Sequence, residues 1–272
     1  MGVSIRVMSG KIKHPDNREK IRLNRYLAMA GVGSRRVCDQ YIVQGRVKVN
    51  GRVISTLGSR VDPRKDVVEF DNQRVRPMEY FIYILMNKPL RTVTTVKDEK
   101  GRRTVIDLLG IPERLFPVGR LDYLTTGALL ITNDGELAYY LTHPRFEVKK
   151  RYRVLLDKMI RPIDLHRFQR GIDLDGRLTA PCRAEELRRI DNRSYLEVEL
   201  HEGRNRQIRR MFETLGYGVE ELHRIEFAGL RVSDLKPGEW RELTPREVKR
   251  LKRLIAEQRE QMDSQWETDP LK

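Results

Sequence analysis

Cysteine and histidine are scarce in this 272-residue chain, with two of the first and five of the second. Cys38 and Cys182 form no C-x-x-C pair, which argues against a disulfide framework and a thiolate zinc site. The histidines form no H-x-x-x-H pattern and no carboxylate-rich cluster, so metal chemistry is set aside. There is no P-loop, no G-x-G-x-x-G and no G-x-S-x-G, and no second member of a carboxylate pair for ordinary glycoside hydrolysis. An enzyme made from this chain is expected to work without metal or nucleotide cofactor. No apolar run is long enough to span a bilayer, and MGVSIRVMSGKIKHPDNREK lacks the apolar core of a signal peptide. The expected setting is the cytosol, with no membrane partner.

Positive charge is plentiful. Lys and Arg number 54 against 39 Asp and Glu, a formal net charge of +15. Such an excess points to a polyanionic partner, most simply nucleic acid. The length favours two small-to-medium domains. Residues 1–19 read as a basic flexible tail. From Ile21 the periodicity becomes helical through Ala30, and Gly31 and Gly33 stop it. Ser34 is placed to cap a second helix whose inner side holds Val37, Tyr41 and Ile42. RVKVNGRVI follows, and its Asn50-Gly51 is the strongest short hairpin signal. A boundary falls near Pro77. YFIYILMNKP reads as a buried strand, and β-like runs recur at 128–132, 152–156, 195–200 and near Val219 to Phe227, with helical stretches between them. The class is therefore α+β on a largely antiparallel sheet. Thr244-Pro245-Arg246-Glu247 is a capping box opening a last helix, and fraying is expected after Gln261. The division predicted is 1–19 tail, 20–79 small domain, 80–244 larger domain and 245–272 charged helix and tail.

Arg22, Arg25, Arg35, Arg36, Arg46 and Lys48 all fall in the small domain. Arg35 and Arg36 sit in the first turn of a helix, where the macrodipole disfavours cations unless an anion binds there. A solvated basic face explains the charge equally well. RLNRYLAMAGVGSRRVCDQYIVQGRVKVNG, however, resembles the S4-like RNA-binding domain in its SRR helix start and its I-x-x-G-R-V-x-V-N-G hairpin. That resemblance implies RNA binding.

The segment GRLDYLTTGALLITNDGEL sets one carboxylate, Asp122, beside Arg120. Taken alone, Asp122 reads as a turn cap, as half of an ion pair with Arg120, or as a nucleophile or base. Two further segments bear on the choice. EVKKRYRV places Tyr152 among cations at a strand start, and HEGRNRQIRRMFETLGY sets Ile208, Met211, Phe212 and Leu215 on one helical stripe, with Arg206, Arg209 and Arg210 toward the other faces. Carboxylate, aromatic ring and arginine suit chemistry on an unstacked nucleotide.

These segments resemble the motifs of bacterial ribosomal pseudouridine synthases of the RsuA and RluB type. GRLDYLTTGALL is similar to the catalytic motif, KRYRV to the tyrosine motif and EGRNRQIRRM to the arginine motif. MNKP at 86–89 and PGEWRELT at 237–244 also fit. The resemblance implies that Asp122 is the catalytic aspartate, Tyr152 the active-site tyrosine and Arg209 the basic residue that pairs with the aspartate. It implies an isomerisation in which uracil is detached from ribose, turned and rejoined through carbon, without cofactor. Arg120, Arg204 and Arg206 join the expected RNA contacts. The family usually has a glycine soon after N-K-P, where this chain has Leu90 and Arg91. The expected partner is ribosomal RNA or a ribosomal assembly intermediate, acted on by a monomer. EGRNRQIRRM and TTGALL read closer to the large-subunit members, with a small-subunit target as the alternative. Two other readings are a non-catalytic RNA-binding assembly protein and an RNA glycosidase that releases uracil.

Overall fold

The computed structural model describes residues 20–267, with side chains through residue 260. The stretches 1–19 and 268–272, expected as tails, lie outside the described residues. The chain divides into two units, 20–81 with 112–114, and 82–111 with 115–267.

In the first unit, helix α1 (Leu23–Met29) turns Leu23, Tyr26 and Leu27 inward at i, i+3 and i+4. The Ser34 hydroxyl accepts the Val37 N–H at 3.3 Å and starts α2 (Arg35–Val43). Cys38 and Ile42 are the inward residues of α2. Val37, expected inside, is only half-buried because the stripe is rotated by one position, and the thiol packs as a small hydrophobe. Strands β1 (Val47–Val49) and β2 (Arg52–Val53) form the expected hairpin. Asn50 at φ +51° and Gly51 at φ +76° supply the two left-handed residues of its turn. β3 (Val68–Phe70) and β4 (Gln73–Arg74) complete a four-stranded sheet in the order β2-β1-β3-β4. Leu23, Leu27, Cys38, Ile42, Val47 and Val68 are among its core residues.

The second unit is built on a nine-stranded sheet. Its principal strands are β5 (Tyr83–Lys88), β6 (Thr126–Thr132), β7 (Lys150–Leu156), β8 (Arg183–Ile190), β9 (Arg193–Leu200), β10 (Val219–Phe227) and β11 (Trp240–Glu242), in the spatial order β8-β9-β7-β10-β6-β5-β11. β10 and β6 pair in parallel, and the other neighbours in this order pair antiparallel. All six residues of β5 are buried, the apolar Tyr83–Met86 together with the polar Asn87 and Lys88. β8 has no such signature. Its Arg183, Glu185, Glu186, Arg188 and Arg189 suit an edge strand, where charge discourages pairing with another chain.

Helices α3 (Gly135–Thr142), α4 (Pro162–Arg170) and α5 (Gln207–Thr214) connect these strands. α3 is capped by Asp134, which accepts the Glu136 and Leu137 N–H groups and the Tyr83 hydroxyl. The capping box at α6 (Pro245–Glu267) is made on both sides. Thr244 N–H donates to Glu247 at 2.8 Å, and Glu247 N–H donates to the Thr244 hydroxyl at 3.3 Å. α6 continues to Glu267 instead of ending near Gln261. Among the described residues no helix is long and apolar enough to cross a membrane.

Candidate active site

Gly127 stands at the middle of the sheet, where the strand that follows Asp122 crosses its parallel neighbour. A Cβ on Gly127 would lie 2.2 Å from the carbonyl oxygen of Arg224, and the residue has φ +109°. Glycine is therefore required for β6 and β10 to approach. The same register aligns one row across four strands, Tyr152–Arg224–Gly127–Lys88. Cross-strand partners lie side by side, so residues far apart in sequence become neighbours. Tyr152 and Arg224 of this row line a cavity of about 270 Å³, whose wall also includes Arg120, Asp122, Lys150 and Phe227.

The loop carrying Asp122 is anchored at five consecutive carbonyls. Leu121 O accepts the Thr94 hydroxyl at 2.7 Å, and Asp122 O accepts Thr125 N–H at 3.0 Å. Tyr123 O accepts Arg91 N–H at 2.8 Å, Leu124 O accepts Arg209 Nη2 at 2.9 Å, and Thr125 O accepts Lys88 Nζ at 2.8 Å. The Asp122 carboxylate itself accepts no hydrogen bond and forms no ion pair with a described residue, Arg120 included. The backbone is held while the carboxylate oxygens are left unengaged, which is the arrangement a preorganised group needs.

Cations surround that carboxylate. Lys88 is wholly buried, and burial pushes its ammonium down to about 8, with Arg224 adding to the shift and Asp122 opposing it. Lys150 is also pushed down to about 8, by burial first and then by Arg224. Arg209 is lowered by burial and by Arg206, against the attraction of Asp122. Neither thiol offers a competing nucleophile. Burial raises Cys38 to about 11 and Cys182 to about 12, far from the thiolate range at neutral pH.

Of the residues singled out in the sequence, Asp122 and Tyr152 meet at the cavity, and the Tyr152 ring is buried. Arg209 differs from expectation. It does not pair directly with Asp122, because its guanidinium bridges the carbonyls of Leu124 and Val219, at 2.9 and 2.7 Å, and it is buried instead of lying on an outer face. It acts on Asp122 through the loop and through space. Arg120 is exposed at the cavity wall. Arg204 also lines the wall, but its side chain bonds the carbonyls of Arg177 and Leu178 and pairs with Glu202. Arg206, at φ +48°, pairs with Glu213.

In the first unit, Arg35 is lowered by partial desolvation and by Arg25 and Arg22, which places these three cations together at the start of α2. Arg36 is exposed beside them. Arg46 is engaged internally, paired with both oxygens of Asp71 and stacked on Tyr41 and Phe70 at 4.3 and 4.7 Å. Lys48 donates to Asn72 at 2.8 Å.

Lys88, Lys150 and Arg224 were not singled out from the sequence. A lysine at the end of a strand that opens with four apolar residues was the available signal for Lys88. For Arg224 it was the two-residue alternation with Leu222, which places the arginine on the inward face. The departure after N-K-P has a conformational counterpart. Arg91 adopts φ +55°, the left-handed region that the family's glycine enters freely.

Comparison with known proteins agrees with this geometry. The family model described as RNA pseudouridylate synthase matches residues 82–214, and the S4 domain model matches residues 21–68. The ribosomal large subunit pseudouridine synthase B of Bacillus subtilis is 45% identical over 237 residues, covering 86% of this chain and 96% of that protein. An uncharacterized RNA pseudouridine synthase of Aquifex aeolicus is 40% identical, covering 85% and 94%. A crystal structure of a pseudouridylate synthase superposes with a TM-score of 0.62 at 29% identity, covering 85% of this chain and 99% of that one. The chain belongs to the RNA pseudouridine synthase family and carries an S4 domain ahead of its synthase unit.

Proposed function

We propose that this protein converts a uridine of large-subunit ribosomal RNA to pseudouridine, with Asp122 as the reacting group. The observation that carries the reading is the loop Leu121–Thr125, bonded at every carbonyl while the Asp122 carboxylate faces the cavity unengaged. The large-subunit assignment is supported by the Bacillus relative, named as a large-subunit pseudouridine synthase, which this chain spans almost end to end.

The reaction breaks the bond between uracil N1 and ribose C1′, forms one between C5 and C1′, and moves the C5 proton to N1. Reactant and product have the same atoms, so no water or cofactor enters. Asp122 serves as nucleophile or base toward the detached fragment. The target base leaves its stack at a cost of a few kcal/mol, offset by the Tyr152 ring and by basic groups along the phosphates. Arg209 and Lys88 hold the loop and supply positive potential to the carboxylate. RNA capture falls to residues 20–79, with Arg22, Arg25, Arg35 and Arg36 facing phosphate at the start of α2. Chemistry falls to residues 80–244, and the helix Pro245–Glu267 is accessory.

The test is a map of pseudouridine in ribosomal RNA from cells with and without the gene. One uridine of large-subunit RNA should revert in its absence. An unchanged map overturns the proposal, and a lost site in small-subunit RNA overturns the substrate assignment.

A further inference from the structure

Among the described residues, the cavity wall holds more positive charge than its one unengaged carboxylate balances. Arg224 is 3% exposed, with Nε on the Ala128 carbonyl at 2.7 Å and Nη2 buried without any partner. Lys150 bonds only carbonyls, Val148 at 2.7 Å and His201 at 3.4 Å. Among the described residues no carboxylate forms an ion pair with either cation. Glu202, the nearest acidic influence on Lys150, is already engaged by Arg204, Gln207 and the Ala180 N–H. A desolvated cation without a counter-ion is costly, and a cavity that carries a buried arginine and a half-buried lysine in that state is matched to an anion.

The row Tyr152–Arg224–Gly127 puts Arg224 beside the ring expected to face the base. We propose that Arg224 and Lys150 form an anion subsite for the detached uracil. This rests on the synthase reading above. When the N1–C1′ bond breaks, its electron pair stays on the base, and the charge spreads over N1, O2 and O4. C1′ is left electron-deficient toward Asp122. Return of a pair from C5 to C1′, with the C5 proton passing to N1, restores a neutral base with nothing gained or lost. Cations fixed beforehand around the departing base stabilise the charge at the moment it develops, without reorganisation. In this scheme Arg224 and Lys150 act directly on the base charge, while Asp122 acts on carbon.

The test compares binding of uracil with that of 5-nitrouracil, which is an anion at neutral pH, to the full-length protein by calorimetry or NMR titration. Wild type should prefer the anion by roughly tenfold or more, the scale of one charge-assisted hydrogen bond. Lys150→Met should lose most of that preference, and Arg224→Lys, which keeps a charge, should retain part of it. Equal affinity for the two bases in wild type overturns the proposal, as does a preference that survives in Lys150→Met. Inorganic phosphate that displaces 5-nitrouracil while uracil does not would make this a phosphate site and overturn the assignment to the base. Wild-type comparison alone is decisive should a variant fold poorly. Because binding needs no turnover, a failure here is distinct from a wild type that makes no pseudouridine, which would sink the synthase reading instead.

Discussion

Replacing Gly127 with alanine tests the packing that assembles the site. The added methyl would meet three backbone atoms of Arg224, the oxygen at 2.2 Å, the nitrogen at 2.7 Å and the carbonyl carbon at 2.8 Å. None can swing aside as a side-chain tip would, because Arg224 is paired on one side with Gly127 and on the other with Tyr152. Overpacking in a dense core typically costs about 1–3 kcal/mol. Holding a non-glycine residue at φ +109° adds about 1–2 kcal/mol. The sum, roughly 2–5 kcal/mol, is a large part of the 5–15 kcal/mol that stabilises an ordinary domain. The alternative to unfolding is separation of β6 from β10, which shifts the Asp122 loop from Tyr152 and Arg224. Thermal unfolding and turnover on ribosomal RNA should be measured together. A fall in unfolding temperature of several degrees with severe loss of activity is expected. An alanine variant with wild-type unfolding temperature and wild-type turnover would refute the close strand approach and the row of residues built on it.

Three other perturbations follow from named contacts. Lys88 is protonated less readily in the folded chain, about 8 against an ordinary 10.5, so the unfolded state binds more protons between those values. The Lys88 contribution to stability therefore rises with pH across that window, and the stability difference between wild type and Lys88→Met should change with pH there; a pH-independent difference would mean that the ammonium is not desolvated. Arg91→Gly should leave stability equal or raise it by up to about 1 kcal/mol, since it relieves a left-handed arginine while keeping the N–H bond to Tyr123, and clear destabilisation in a melting experiment would contradict this. Joint replacement of Arg35 and Arg36 by Ala should weaken RNA binding and flatten the log K against log salt slope by about 0.7–0.9 per phosphate contact, whereas an unchanged slope would make them a solvated face.

Much of the local structure was legible in the sequence because its causes are local. Asn50-Gly51 turns the chain as its φ preferences dictate, Ser34 caps α2, and the β-like runs at 83–88 and 219–227 are strands. Asp122 and Tyr152 were legible through their motifs. What escaped depends on register between distant strands. Lys88 and Arg224 are 136 positions apart, and Gly127 stands between them only because a parallel pair brings it there. The edge strand Arg183–Ile190 escaped because its charged residues carry no apolar alternation. Arg209 was read as the partner of Asp122 and Arg46 as a cation facing RNA, yet both are engaged elsewhere within the protein, one on two carbonyls and the other on Asp71 and two rings. Charge in a sequence reports an available donor, and only packing determines whether that donor is already used.

The central claim is that one carboxylate carries the reaction while the cations around it hold the RNA, the loop and the base. Asp122→Asn tests it most directly. The change is nearly isosteric, and because the Asp122 side chain bonds no described residue, the loop loses no anchor. Isomerisation of ribosomal RNA by the purified variant should fall below detection while its RNA affinity stays close to wild type. Turnover at a tenth of the wild-type rate or more would contradict the account.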